Sequence, residues 1–179
     1  MASGRRSWKE SWAVLKKLGG RLLRRSDWPT DPGELNRPEP GGKHNGACLR
    51  DRRHEEADFG NLSLPRTLVE RCQFHGVSFR DTDLQLSCLS GNEFVDCDLS
   101  GAVLICADLQ GSTFFACRFA NAALMGADLR GSTFDHCDFT GADLTGARVD
   151  RALKEALSLT DLQRDRMVDW RAEDDDPDE

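Results

Sequence analysis

From Phe59 to Val149 every fifth residue is large and apolar, nineteen positions without a gap. A step of five matches neither the 3.6-residue turn of an α-helix nor the two-residue alternation of a strand. A chain that sends all these side chains into one core must therefore change direction after every five residues. Two residues ahead of each large position stands a second, mostly small set, including Ala57, Cys72, Thr82, Ser87, Cys97, Ala102, Ala107, Ser112, Cys117, Ala122 and Ala127. Leu62, Val77 and Asn92 are its bulky or polar exceptions. Two residues behind the large positions glycine recurs, at Gly101, Gly111, Gly126, Gly131, Gly141 and Gly146, and glycine accepts the positive φ that sharp corners need.

A longer period sits on the short one. Residues 107–126 and 127–146 share 12 identities in 20, so the natural unit is four pentapeptides. Taken modulo twenty, the ladder sorts into four columns: Phe59, Phe79, Leu99, Phe119 and Phe139; Leu64, Leu84, Leu104, Leu124 and Leu144; Val69, Leu89, Leu109, Leu129 and Val149; and Phe74, Phe94, Phe114 and Phe134. Aromatics crowd two columns and aliphatics the other two. This sorting follows if a coil has four sides and each side chain stacks on its counterpart about 4.8 Å above, the spacing of paired strands. The 94 residues from 57 to 150 then make four to five coils, a rod roughly 20–25 Å long. The predicted structural core is the run of column residues from Phe79 to Leu144.

The repeat resembles the pentapeptide-repeat family, whose motif is A-(D/N)-(L/F)-x-x. Ala107-Asp108-Leu109-Gln110-Gly111, Ala127-Asp128-Leu129-Arg130-Gly131 and Ala142-Asp143-Leu144-Thr145-Gly146 carry it. The resemblance implies an all-β fold, a right-handed quadrilateral β-helix or pentapeptide-repeat solenoid, over residues 47–150. Ala47-Cys48-Leu49-Arg50-Asp51 reads as one more repeat, but the next large position falls on His54, so residues 47–56 are expected to begin the fold imperfectly. After Val149 the pattern turns helical. Leu153 and Leu157 lie one turn apart behind Asp150, an N-cap residue, and Thr160 and Gln163 have capping-box spacing. A short helical cap over 151–171 is expected, because the ends of a repeat stack need covers; a homodimer contact through these helices is the alternative. Residues 172–179 read as an acidic disordered tail.

Ahead of the rod, residues 29–46 hold Pro29, Pro32, Pro38 and Pro40 among glycines, a linker composition. Before it, residues 1–28 form a basic segment. Trp8, Trp12, Leu15, Leu18 and Leu22 recur there at helical spacing beside Lys9, Lys16, Lys17, Arg21, Arg24 and Arg25, the pattern of an N-terminal amphipathic helix. Three partners suit it: an anionic membrane surface through residues 8–25, the groove of a protein partner, or the chain's own β-helix.

Charge and composition narrow the function. Residues 1–56 carry 13 basic and 8 acidic side chains, 57–150 carry 6 and 13, and 151–179 carry 5 and 10. An acidic rod lacks the cations that duplex binding requires, so direct nucleic-acid binding is not expected. Seven cysteines without a C-x-x-C pair point to a reducing cytoplasm, with the basic helix as a means of peripheral membrane attachment. Cys97, Cys117 and Cys137 fall twenty apart, yet they occupy the small inward column, where free cysteine packs as a small hydrophobe. No phosphate loop, nucleophile elbow or metal-spacing motif is present. The expectation is no enzyme and no cofactor, but a protein-interaction or scaffold module. The family resemblance offers an alternative, a DNA mimic that binds DNA gyrase and gives quinolone protection or gyrase inhibition. Against it, the residues just ahead of the large positions read Asp58, Ser78, Asp98, Arg118, Asp138 on one side and Ser63, Asp83, Val103, Ala123, Asp143 on the next, so neither acidic row is continuous.

Overall fold

The computed structural model describes residues 48–169. The N-terminal amphipathic helix, the linker, Ala47, and the acidic tail with the end of the expected cap lie outside the described residues.

The described chain is a β-solenoid of about six turns. Its third side carries β1 (Cys48–Arg50), β3 (Leu68–Glu70) and β8 (Arg148–Val149). The fourth side carries β2 (Arg53–Glu55), β4 (Gln73–His75), β5 (Glu93–Val95), β6 (Thr113–Phe115) and β7 (Thr133–Asp135) as one parallel sheet. The first and second sides, built around Phe59 and Leu64, are joined by single parallel bridges such as Asp58↔Ser78 and Asp83↔Val103. Every one of these pairs is offset by twenty residues, as the sequence period requires.

Corners fall at every fifth residue from Asp51 to Gly146, and each has positive φ. Twelve of those corners are not glycine. At Gly101 the absent Cβ leaves room for the Asp81 carboxylate of the coil below.

Inside, the aromatic columns stack ring on ring. Phe74, Phe94, Phe114 and Phe134 lie 4.7–4.9 Å apart with nearly parallel planes, and they meet the first-side rings edge-on, as Phe114 meets Phe119. All the core residues from Phe79 to Leu144 are buried except Phe134, which is partly buried near the C-terminal end. The small column adds hydrogen bonds. Thr82 Oγ1, Ser112 Oγ and Ser132 Oγ donate to carbonyls 23 residues back, those of Phe59, Leu89 and Leu109, at 2.8, 2.8 and 2.6 Å. A hydroxyl therefore fits this column because a carbonyl of the coil below always faces it.

Each end adds detail to the sequence expectation. Residues 48–56 begin the fold with two of a coil's four sides, β1 and β2, which pair in register with β3 and β4. His54 is buried and lies on Phe74 at 4.9 Å, because a planar ring of similar size fills the aromatic column whether or not it is polar. At the other end, α1 (Arg151–Ala156) and α2 (Asp161–Arg166) bury Leu153 and Leu157, and the chain then returns as β9 (Val168–Asp169), paired with β8 at the same offset of twenty. The cap is thus a coil whose other sides have been replaced by helices. Thr160 and Gln163 form the capping box. Asp150 stands at the N-cap of α1 but caps no amide of its own helix; its carboxylate instead accepts the N–H of Gly131 in the coil below.

Candidate docking surface

The described residues bring together no catalytic constellation. His75 and His136 stand on the outside of the fourth side, and the carboxylates of the rod are mostly engaged in their own turns: Asp98, Asp138 and Asp143 accept the amides two residues on, at 3.0, 2.9 and 3.0 Å. Hydrogen bonding to Thr140 and Thr145 holds Asp138 and Asp143 below the usual carboxylate range. Among the described residues no cluster of His, Cys, Asp and Glu could hold a metal ion. The cysteines are free, and the Sγ atoms of Cys97, Cys117 and Cys137 donate to the Phe74, Phe94 and Phe114 carbonyls at 3.4–3.5 Å. Hydrogen bonding with the Cys137 and Cys97 thiols, and then burial, pushes the Cys117 thiol up. An open cleft of about 340 Å³ beside the cap is lined by Asp143, Thr160, Leu162, Gln163 and Arg166, without a nucleophile and base in contact. Among the described residues no helix is long and apolar enough to cross a membrane.

What the coil does assemble is a surface. On the second side Leu84, Leu104 and Leu124 point inward, so by strand alternation their neighbours point out. Val103 and Ala123 are adjacent through a parallel bridge, and the Leu86 and Cys106 amides bond to the Ile105 and Met125 carbonyls. Leu86, Val103, Ile105, Cys106, Ala123 and Met125 therefore form one apolar patch across three coils, with Leu86 46% and Met125 37% exposed. Leu86 also occupies a corner at φ 58°, where a non-glycine side chain costs roughly 1 kcal/mol or more. The same corner holds Gly126 and Gly146 two and three coils later.

Beside the patch stand Asp81 and Asp108, and also Arg66, which holds the corner one coil before Leu86 and whose amide bonds the Gln85 carbonyl. Residues 81–117 contain no Lys, Arg or His and six acids: Asp81, Asp83, Glu93, Asp96, Asp98 and Asp108. Arg80 reaches in from the preceding position to pair with Asp98 at 2.9 Å. The sequence reading registers Val103 and Ala123 only as gaps in an acidic row. The signal it passes over is that Leu86, Ile105, Cys106 and Met125 share two adjacent positions of the twenty-residue unit. The candidate contact residues Trp8, Trp12, Leu15, Lys16, Lys17, Leu18, Arg21 and Leu22 lie outside the described residues.

Comparison with known proteins agrees with this architecture. A family profile described as pentapeptide repeat region matches residues 67–144. Among solved structures the chain is similar to a pentapeptide repeat protein of the Arabidopsis thaliana thylakoid lumen, with 24% identity over 62% of this chain and 71% of that one and a TM-score of 0.45. It is also similar to HetL, a pentapeptide repeat protein involved in heterocyst differentiation regulation from the cyanobacterium Nostoc, with 21% identity over 58% of this chain and 52% of that one and a TM-score of 0.26. QnrB1, a plasmid-mediated fluoroquinolone resistance protein, gives 18% identity over 60% of this chain and 66% of that one, with a TM-score of 0.34. This chain thus spans about half the length of HetL. A search of curated proteins finds no match to the sequence. With coils of four pentapeptides in register and the profile match across their middle, residues 67–144 of this chain are a pentapeptide repeat region.

Proposed function

We propose that the protein is a non-enzymatic interaction module that docks a protein partner on its second side. Pentapeptide-repeat proteins are structural or interaction modules, and the observation that carries this finer reading is the patch of Leu86, Ile105, Cys106 and Met125 on the second side. An apolar cluster edged by charged groups offers area to bury and an electrostatic filter against the wrong partner. The free thiols fit a reducing cytoplasm, and the exposed Leu162 of α2 leaves room for a homodimer contact at the cap.

The test is affinity capture with the intact chain, comparing wild type with Ile105→Glu/Met125→Glu and with Thr113→Glu/Thr133→Glu, a control of equal charge on the fourth side. Docking on the second side predicts a set of partners lost only with the first pair. Equal retention by all three proteins contradicts it.

DNA mimicry directed at gyrase is the second reading, supported by the acidic balance of the rod. The charge pattern weighs against it: Arg80 neutralises Asp98, Arg130 neutralises Asp128 at 2.8 Å, and Arg118 stands in line between Asp98 and Asp138. A supercoiling assay with purified protein separates the two readings, since a mimic protects or inhibits gyrase at micromolar concentration and a second-side docking module leaves it unaffected.

A further inference from the structure

We propose that the second side takes a basic amphipathic helix and that residues 8–25 of this same chain supply it. The inference rests on the docking reading above and names the occupant of that face.

Three observations converge on this segment. The first is chemical complementarity. Residues 57–150, which carry the patch, hold 13 acids against six arginines, while residues 1–26 carry Lys and Arg throughout with Glu10 as their one acid. Trp8, Trp12, Leu15, Leu18 and Leu22 supply an apolar stripe for the patch, and Lys9, Lys16, Lys17 and Arg21 flank that stripe where Asp81 and Asp108 flank the patch.

The second is reach. The described chain begins at Cys48 on the third side, and the Leu86, Cys106 and Met125 positions lie at the corner next to that side. They are about two to four coils along the rod, or about 10–19 Å at the spacing of paired strands. The 18 residues of 29–46 reach at most about 60 Å, more than the distance to the patch.

The third is pitch. Helix turns recur about every 5.4 Å and coils about every 4.8 Å. A helix laid along the rod therefore keeps its side chains in step with the rows at Leu86, Ile105 and Met125 across three coils. Leu86, kept at a left-handed corner and 46% exposed, is the first ridge of that track.

Cys106, exposed and central in the patch, makes the contact measurable in the full-length chain. With Leu15→Cys and a short bis-maleimide, the introduced thiol joins Cys106 in preference to Cys48 and Cys88, at a yield independent of protein concentration. Linking mainly to Cys48 or Cys88, or links between chains that grow with concentration, overturns the proposal. Trp8→Glu/Trp12→Glu, again in the full chain, raises the rate of Cys106 alkylation by up to about fivefold if the docked state is about 80% populated. An unchanged rate overturns the proposal. Leu86→Gly leaves the fold intact and lowers the Leu15→Cys cross-link yield; an unaltered yield counts against Leu86 as part of the track and against the proposed path. Binding of the Trp-bearing segment to anionic vesicles with no change in Cys106 reactivity assigns it to a membrane and overturns the intramolecular contact. The two readings fail separately. Partner retention that still depends on Ile105 and Met125 while Cys106 ignores the Trp substitutions keeps the docking face and discards this occupant.

Discussion

The side-chain carbonyl of Asn92 accepts the backbone N–H of Cys72, twenty residues earlier, at 2.8 Å. Its amide nitrogen donates to the carbonyls of Val69 and Leu89 at 2.9 and 2.7 Å, so a buried polar residue in a nearly all-apolar core is fully satisfied. Replacing it with leucine orphans the Cys72 amide and the Val69 carbonyl, while the Leu89 carbonyl keeps the Ser112 hydroxyl, at about 1–3 kcal/mol for each buried group left unpaired. We expect Asn92→Leu to destabilise by roughly 2–4 kcal/mol in urea unfolding. Asn92→Ser should be milder, because Ser112 and Ser132 serve the same column through their hydroxyls. Equal loss from both substitutions would show that side-chain volume governs the site.

His54 makes stability depend on pH. Burial, with a smaller contribution from the charge of Arg52, lowers its pKa from 6.5 to about 4, and neither ring nitrogen has a hydrogen-bond partner. Between those values the unfolded chain binds a proton that the folded chain refuses. Stability is therefore full above pH 6.5 and falls as pH drops toward 4, by roughly 3 kcal/mol at about 1.4 kcal/mol per unit. His54→Phe should remove that slope and raise stability at pH 7 by extending the Phe74 stack. Thermal unfolding of the two proteins across pH 4–7 measures the difference, and parallel curves would rule out His54 as the cause.

The cap depends on one glutamine. Gln163 Nε2 donates to the Phe139 and Ala142 carbonyls at 2.9 and 3.0 Å while its Oε1 accepts the Thr160 amide at 3.0 Å. Gln163→Ala removes the capping box and two bonds to the last coil, and should cost about 2–3 kcal/mol. Thr160→Ala removes the cap alone and should cost about 1 kcal/mol. Chemical denaturation of both variants gives the comparison; equal effects would mean that Gln163 does not hold the helices to the rod.

Cysteine reactivity should follow position on the coil. Cys106 is exposed, whereas Cys97 and Cys117 are buried with their Sγ atoms on backbone carbonyls. Alkylation followed by peptide mapping under native conditions should label Cys106 and leave Cys97 and Cys117 unmodified until the chain unfolds. Early labelling of Cys117 would show that the interior opens locally.

The nineteen-step ladder and its four columns were open to sequence reasoning because each column residue has a single job, filling the interior at a fixed period. Asn92 and His54 read as exceptions because their fit depends on what lies one coil away. Asn92 faces carbonyls 3 and 23 residues back, and His54 lies on the Phe74 ring. The cap hides its register for a different reason. Helices α1 and α2 advance about 1.5 Å per residue, so nothing in residues 150–167 announces that they complete a twenty-residue coil and bring Val168 back over Arg148. The second-side patch is scattered along the chain as Leu86, Ile105, Cys106 and Met125 and becomes a surface only when the coil closes.

Hydrogen exchange at single amides tests that closure most directly. The N–H groups of Asp83, Val103 and Ala123 donate to the Leu62, Thr82 and Ala102 carbonyls at 2.8–2.9 Å, each reaching into the coil before it. These amides should exchange among the slowest in the protein, at rates set by global unfolding. Rapid exchange at all three, with protection confined to Arg151–Ala156 and Asp161–Arg166, would contradict a coiled rod and with it the docking side that the coil creates.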